Sequence, residues 1–119
     1  MNTKEIAEQL VALCRKGEFE AAQNQLFSAD AVSIEPEATP DFSKETKGLK
    51  AILEKGHTFA SMVQEIHSVV LSEPLVAGDS FACTMELDVT MKGRGRVHLA
   101  EVCVYETENG KIVSESFHM

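Results

Sequence analysis

An α+β domain is what the sequence predicts: a curved antiparallel sheet with its helices packed on one face. Three observations carry this. Apolar residues recur at helical spacing in the first half of the chain; from Glu65 onward the period changes to two; and the turn segments "AGD", "KGRG" and "ENG" divide the second half into strands. With 119 residues, 44% of them hydrophobic and 25% charged, the chain suits one domain, residues 1–119, around a single core.

Ile6, Leu10, Leu13 and Cys14 share one helical face over residues 3–16, Asn2 and Glu5 are spaced as a capping box, and Gly17 stops the helix. Phe19, Ala22 and Leu26 repeat the pattern over 18–27, so a second short helix follows almost without a linker. "DAVSIEP", residues 30–36, reads as a first, half-buried strand that ends on Glu35 and is closed by Pro36. The polar text "PEATPDFSKETK" between Pro36 and Lys47 marks an exposed loop, placed to lie over a site as a lid. Leu49, Ile52, Leu53, Phe59 and Val63 give a third helix, with Gly56 as its weak point. Strands are then expected over roughly 65–77, 80–92, 95–107 and 110–118.

A formal charge of −8 argues against a nucleic-acid partner, which needs clustered Lys and Arg. No apolar run approaches the roughly 20 residues of a membrane span, and "MNTKEIAEQL" lacks the basic-then-apolar order of a signal peptide, so a cytoplasmic protein without a membrane partner is expected. Cys14, Cys83 and Cys103 are spaced neither as a CxxC pair nor as a zinc framework and read as small core or strand residues. His57, His67, His98 and His118 contain no HxH or HxxxH spacing, so no metal is expected. Nothing in the sequence calls for a cofactor: there is no Gly-rich phosphate loop and no nucleophile elbow.

Asn109-Gly110 predicts a tight hairpin that pairs Glu108 with Lys111, Val104 with Glu115 and Val102 with Phe117. A two-residue turn at Gly93-Arg94 then pairs Met85 with Val102 and Leu87 with Ala100; a different loop length there inverts this second pairing. In this register Met85, Leu87, Val89, Ala100, Val102, Val104, Val113, Phe117 and one carboxylate, Glu115, face the helices. Thr84, Glu86, Asp88, Leu99, Glu101, Cys103 and Tyr105 form the other face, apolar enough to suggest a partner. Glu115 on an aliphatic face either reaches water at the sheet margin or lines a pocket.

"DAVSIEP", then "KGLKAI", the hairpin strands and a terminal "GKIVSESF" resemble the nuclear transport factor 2-like superfamily, with its SnoaL-like proteins and ketosteroid isomerases, over nearly the whole chain. That resemblance implies a cone: a strongly curved sheet wrapped around three helices of the N-terminal half, a cystatin-like or SnoaL-like architecture with a pocket at the wide end. It implies a role for Glu35-Pro36, since in the isomerases an Asp-Pro pair ends the first strand and the Asp is the general base. Leu10 and Val102 fall at the positions of the isomerases' oxyanion donors, a Tyr and a protonated Asp, so steroid-type isomerisation is not expected.

The expected function is therefore a SnoaL-like protein that holds a small, largely apolar ligand in the cone. Acid–base chemistry of the isomerase, cyclase, dehydratase or epoxide-opening type would fall to Glu35 and Glu115. Leu10, His67, Met85, Leu87, Val89, Val102, Val104 and Phe117 are the expected lining, His67 through its place in a central strand. The alternative is a non-catalytic ligand binder, or a dimerising module with a filled core. A homodimer through the outer sheet face is expected on either reading.

Overall fold

The computed structural model describes all 119 residues. Helix α1 (Thr3–Arg15) starts with the expected capping box, the Asn2 side chain accepting from the Glu5 N–H at 2.9 Å and the Asn2 N–H donating to Glu5 Oε1 at 3.0 Å. Helix α2 (Phe19–Leu26) runs directly into strand β1 (Phe27–Ile34). A short strand, β2 (Glu45–Lys47), precedes helix α3 (Leu49–Met62), which leads into β3 (Val63–Leu71). Then come β4 (Leu75–Ala77), β5 (Ser80–Met91), β6 (Gly95–Glu108) and β7 (Lys111–His118).

The three helices lie against one curved, open sheet of seven strands in the order β2-β1-β7-β6-β5-β3, with β4 also paired to β5. The sheet is mixed rather than wholly antiparallel, because β1 runs parallel to β7. The single strand expected over 65–77 is two, interrupted before Pro74, whose ring nitrogen cannot donate to a ladder. Irregular registers between β1 and β7, β3 and β5, and β6 and β7 mark the bulges that let strands of 12 and 14 residues, β5 and β6, bend around the helices. Ile6, Leu10, Val11 and Cys14 of α1 meet Ala22, Leu26, Ile52, Phe81, Cys83, Cys103, Tyr105 and Ile112 in the main core. Phe81 stacks on Tyr105 with ring centroids 4.7 Å apart.

The register of β6 differs from expectation. Its hairpin with β5 has a three-residue loop, Met91 pairing with Gly95, where a two-residue turn was predicted; the one-residue change exchanges the two faces of β6. Met85 is opposite Glu101, Leu87 opposite Leu99 and Cys83 opposite Cys103. At the other edge of β6 the Asn109-Gly110 turn is as expected, with positive φ at both residues and Glu108 opposite Lys111. A bulge after Ile112 then shifts the ladder, so that Tyr105, not Val104, faces Glu115 and Cys103 faces Phe117. The two one-residue shifts cancel in β7. Glu115 and Phe117 stay on the inner face, while Val102 and Val104 move to the outer one and Glu101, Cys103 and Tyr105 to the inner. His118 is opposite Val102.

Candidate functional site

Three neighbouring strands carry the polar part of the inner face. On β1, Ser33 is fully buried and Glu35 follows the strand end, where its N–H donates to the Lys44 carbonyl at 2.7 Å and closes the loop beyond it. On β7, Glu115, 4% exposed, is directly opposite Ser33. On β6, Glu101 lies two residues from Cys103, whose thiol is 3.9 Å from Glu101 Oε1. Across these strands lies α3, which supplies Lys55. Its ammonium donates to Ser33 Oγ at 2.6 Å and to Glu35 Oε1 at 3.4 Å, and stands 5.6 Å from the centroid of the Phe117 ring.

Three carboxylates thus share one cation. Burial pushes Glu101 up to about 7; the charges of Glu35 and Glu115 add to this, and Lys55 and the Cys103 thiol oppose it. Burial likewise pushes Glu115 up to about 7, against the Ser33 hydroxyl and Lys55, with Glu35 adding to the rise. Near neutrality these acids hold protons that a solvated Glu has lost, so the group both donates and accepts protons there.

An apolar cavity of about 360 Å³ opens further along the same face. Phe59 and Met62 of α3, Met91, Val97 and Leu99 of the β5–β6 hairpin, and Pro40 and Phe42 of the loop after β1 line it, with Thr39, Asp41 and Arg94 also in its wall. The loop after β1 thus forms part of the cavity wall. Glu35, Glu101 and Glu115 do not line this cavity, yet Leu99 and Glu101 lie two residues apart on one face of β6, about 7 Å along the strand. The acids form the next layer inward.

The sequence-predicted residues divide accordingly. Glu35 and Glu115 come together, and Phe117 lies under the Lys55 ammonium. Leu10 is in the main core, Leu87 and Val89 are buried in a smaller cluster, and Met85 packs half-buried on the main core; none of these four lines the cavity. Val102, 42% exposed, and Val104 are on the outer face because β6 is inverted. His67 is there too, its Nε2 2.7 Å from Thr90 Oγ1, since bulges in β3 set its facing. Glu101 was expected on the outer face, and Lys55 and Ser33 were not among the expected site residues. A three-residue loop before β6 was the signal for Glu101; Lys55 and Ser33 left none, because their meeting depends on how α3 crosses β1. No group of three His, Cys, Asp or Glu side chains converges as a metal site.

Residues 1–119 match the SnoaL-like domain. The chain belongs to the SnoaL-like family. Among solved structures it is similar to a protein assigned to the SnoaL-like polyketide cyclases of Mesorhizobium loti, at 32% identity and a TM-score of 0.92 over 100% of both chains. A Xanthomonas campestris protein of unknown function with a cystatin-like fold is 22% identical with a TM-score of 0.83, over 99% of this chain and 90% of that one. A Catenulispora acidiphila protein with a ketosteroid isomerase-like fold, solved in complex with trimethylamine, is 18% identical with a TM-score of 0.70, over 99% and 87%. No curated protein matches the chain. The SnoaL-like fold relates it to polyketide cyclases and isomerases, and no helix is long and apolar enough to cross a membrane.

Proposed function

We propose that this SnoaL-like protein binds a small, largely apolar molecule in the cone and performs acid–base chemistry on its inner end, in a reaction of the isomerase, cyclase, dehydratase or epoxide-opening type. Glu35, ion-paired with Lys55, is the base. Glu101 is the acid nearest the cavity, and Glu115 lies deeper and shares the proton load. One observation carries this reading: the apolar wall ends at Leu99, and the acids begin at Glu101 on the same face of the same strand. A ligand whose hydrocarbon body fills the cavity brings its polar end to carboxyls that hold protons at neutral pH.

Native mass spectrometry of freshly purified protein tests the binding, with a retained small molecule as the expected result. Leu99→Lys, which puts a charge into the wall, is expected to release it, whereas Glu101→Gln retains it and lowers any turnover about 10²–10⁴-fold. A wild-type chain that carries nothing and takes up no apolar fluorophore contradicts the proposal.

The outer face supports a homodimer, with residues other than those first expected. Leu99, Cys103 and Tyr105 face inward, and Thr84 remains outside with Ala100, Val102 and Val104, beside exposed Val70 on β3. Such an aliphatic strip on a sheet surface suits burial against a second copy.

A further inference from the structure

On the acid–base reading of this site, we infer that Lys55 is its positioning residue: clamped by Ser33, its ammonium serves three inward carboxylates from three strands and ties their protonation to one another. The geometry is specific. A lysine ammonium has three donors and no acceptor. With one donor on Ser33 Oγ at 2.6 Å, the serine oxygen is used as an acceptor and its own O–H is free to point elsewhere. Glu115 is directly opposite Ser33 across the parallel β1–β7 pair, so that hydroxyl extends the influence of Lys55 to a carboxylate the ammonium itself does not bond. A second donor of Lys55 goes to Glu35.

Charged and titratable groups reach the ammonium from several elements. Glu35 comes from β1, Glu115 from β7, and Glu101 with the Cys103 thiol from β6; Phe117 supplies an aromatic face below. Behind Glu115 lie Tyr105, Cys14 and Cys83, whose own ionisation burial or mutual hydrogen bonding governs. The side chain of Lys55 is only 15% exposed, so water screens it little and its charge acts on all three acids. Protonating one acid therefore removes a negative charge from the group and favours the ionised form of its neighbours. A ligand that hydrogen-bonds Glu101 changes the charge of Glu115 without touching it.

The test is a carboxyl-carbon NMR titration of the ligand-free protein with Ser33→Ala, Lys55→Arg and Lys55→Met. Ser33→Ala is expected to raise the Glu115 midpoint by about one pH unit while Glu101 does not rise with it. Lys55→Met is expected to raise both, and Lys55→Arg to restore them. Ser33→Ala removes a single oxygen from a buried site and decides the matter by itself where Lys55→Met does not fold. A Glu115 midpoint that stays in place in Ser33→Ala, or Glu115 and Glu101 midpoints that both stay in place in Lys55→Met, overturns the assignment. Because no ligand is present, that result is separable from failure of the acid–base reading, which shows as a protein that titrates as described but binds and converts nothing.

Discussion

Glu115 shows what a buried carboxyl does to stability. Its folded-state value is raised from 4.5 to about 7, mainly by burial, so between those values the folded chain holds a proton that the unfolded chain has released. Stability contributed by the neutral form is present below about pH 4.5 and is lost as the pH rises toward 7. The loss is on the order of 3 kcal/mol at most for such a shift. Chemical denaturation between pH 4.5 and 8 is expected to show this decline, and Glu115→Gln, permanently neutral, to lessen it, Glu101 keeping its own share, and to be the more stable protein at pH 8. A Gln variant with the wild-type slope means that Glu115 ionises without cost. Cys83 and Cys103 make a second case at the same scale. Thr84 directs both its N–H and its carbonyl to Ser72, at 2.9 and 3.1 Å, so the neighbouring Cys83 turns its backbone toward Cys103. In such a hydrogen-bonded pair the Cβ atoms stand about 5.5 Å apart, whereas a disulfide needs about 3.5–4.5 Å. Three free thiols are therefore expected on counting under denaturing, non-reducing conditions, and one remaining thiol contradicts the register. The register predicted from sequence placed Cys103 on the outer face; Cys83 and Cys103 both point inward.

At the scale of elements, one loop decides the character of the site. A three-residue connection at Lys92, Gly93 and Arg94 turns Glu101 inward and Val102 outward, and no apolar pattern in β6 reveals this, because Val97, Leu99, Val102, Val104 and Tyr105 place large apolar residues on both faces. The alternation rule reads a strand only where one face is polar. β5 met that condition, with Glu86 and Asp88 on one face and Leu87 and Val89 on the other, and its facing was legible. The helices were legible through their apolar spacing and the Asn2 cap, and β7 through the Asn109-Gly110 turn, whose bulge offset the error made at the earlier loop. Mutations separate the two registers. Leu87→Ala, at a buried inner position, is expected to cost about 2–5 kcal/mol. Val102→Thr is expected to stay within about 0.5 kcal/mol in urea unfolding, as an exposed outer residue does. A Val102→Thr cost equal to that of Leu87→Ala returns Val102 to the core and removes Glu101 from the site.

Over the whole molecule, the curved sheet has two faces with different uses. The concave one takes the helices, the acids and the apolar cavity; the convex one leaves Val70 and Val102 in the open beside ion pairs such as Arg96 with Asp88. Light scattering at micromolar concentration is expected to give twice the monomer mass, and Val102→Lys with Val70→Lys to return the monomer; a wild-type monomer removes the dimer. The central claim concerns the concave face, that Glu101 and Glu115, both desolvated, interact with each other and with Glu35 next to an apolar cavity. A carboxyl-carbon NMR titration of the wild type, Glu35→Gln, Glu101→Gln and Glu115→Gln tests it most directly. Glu101 and Glu115 are expected to titrate near 7 in the wild type, and each substitution, by deleting a neighbouring negative charge, to lower the midpoint of whichever of these two remains. Midpoints near 4.5 for Glu101 and Glu115, unmoved by any of the substitutions, would show separate solvated carboxylates and contradict the site.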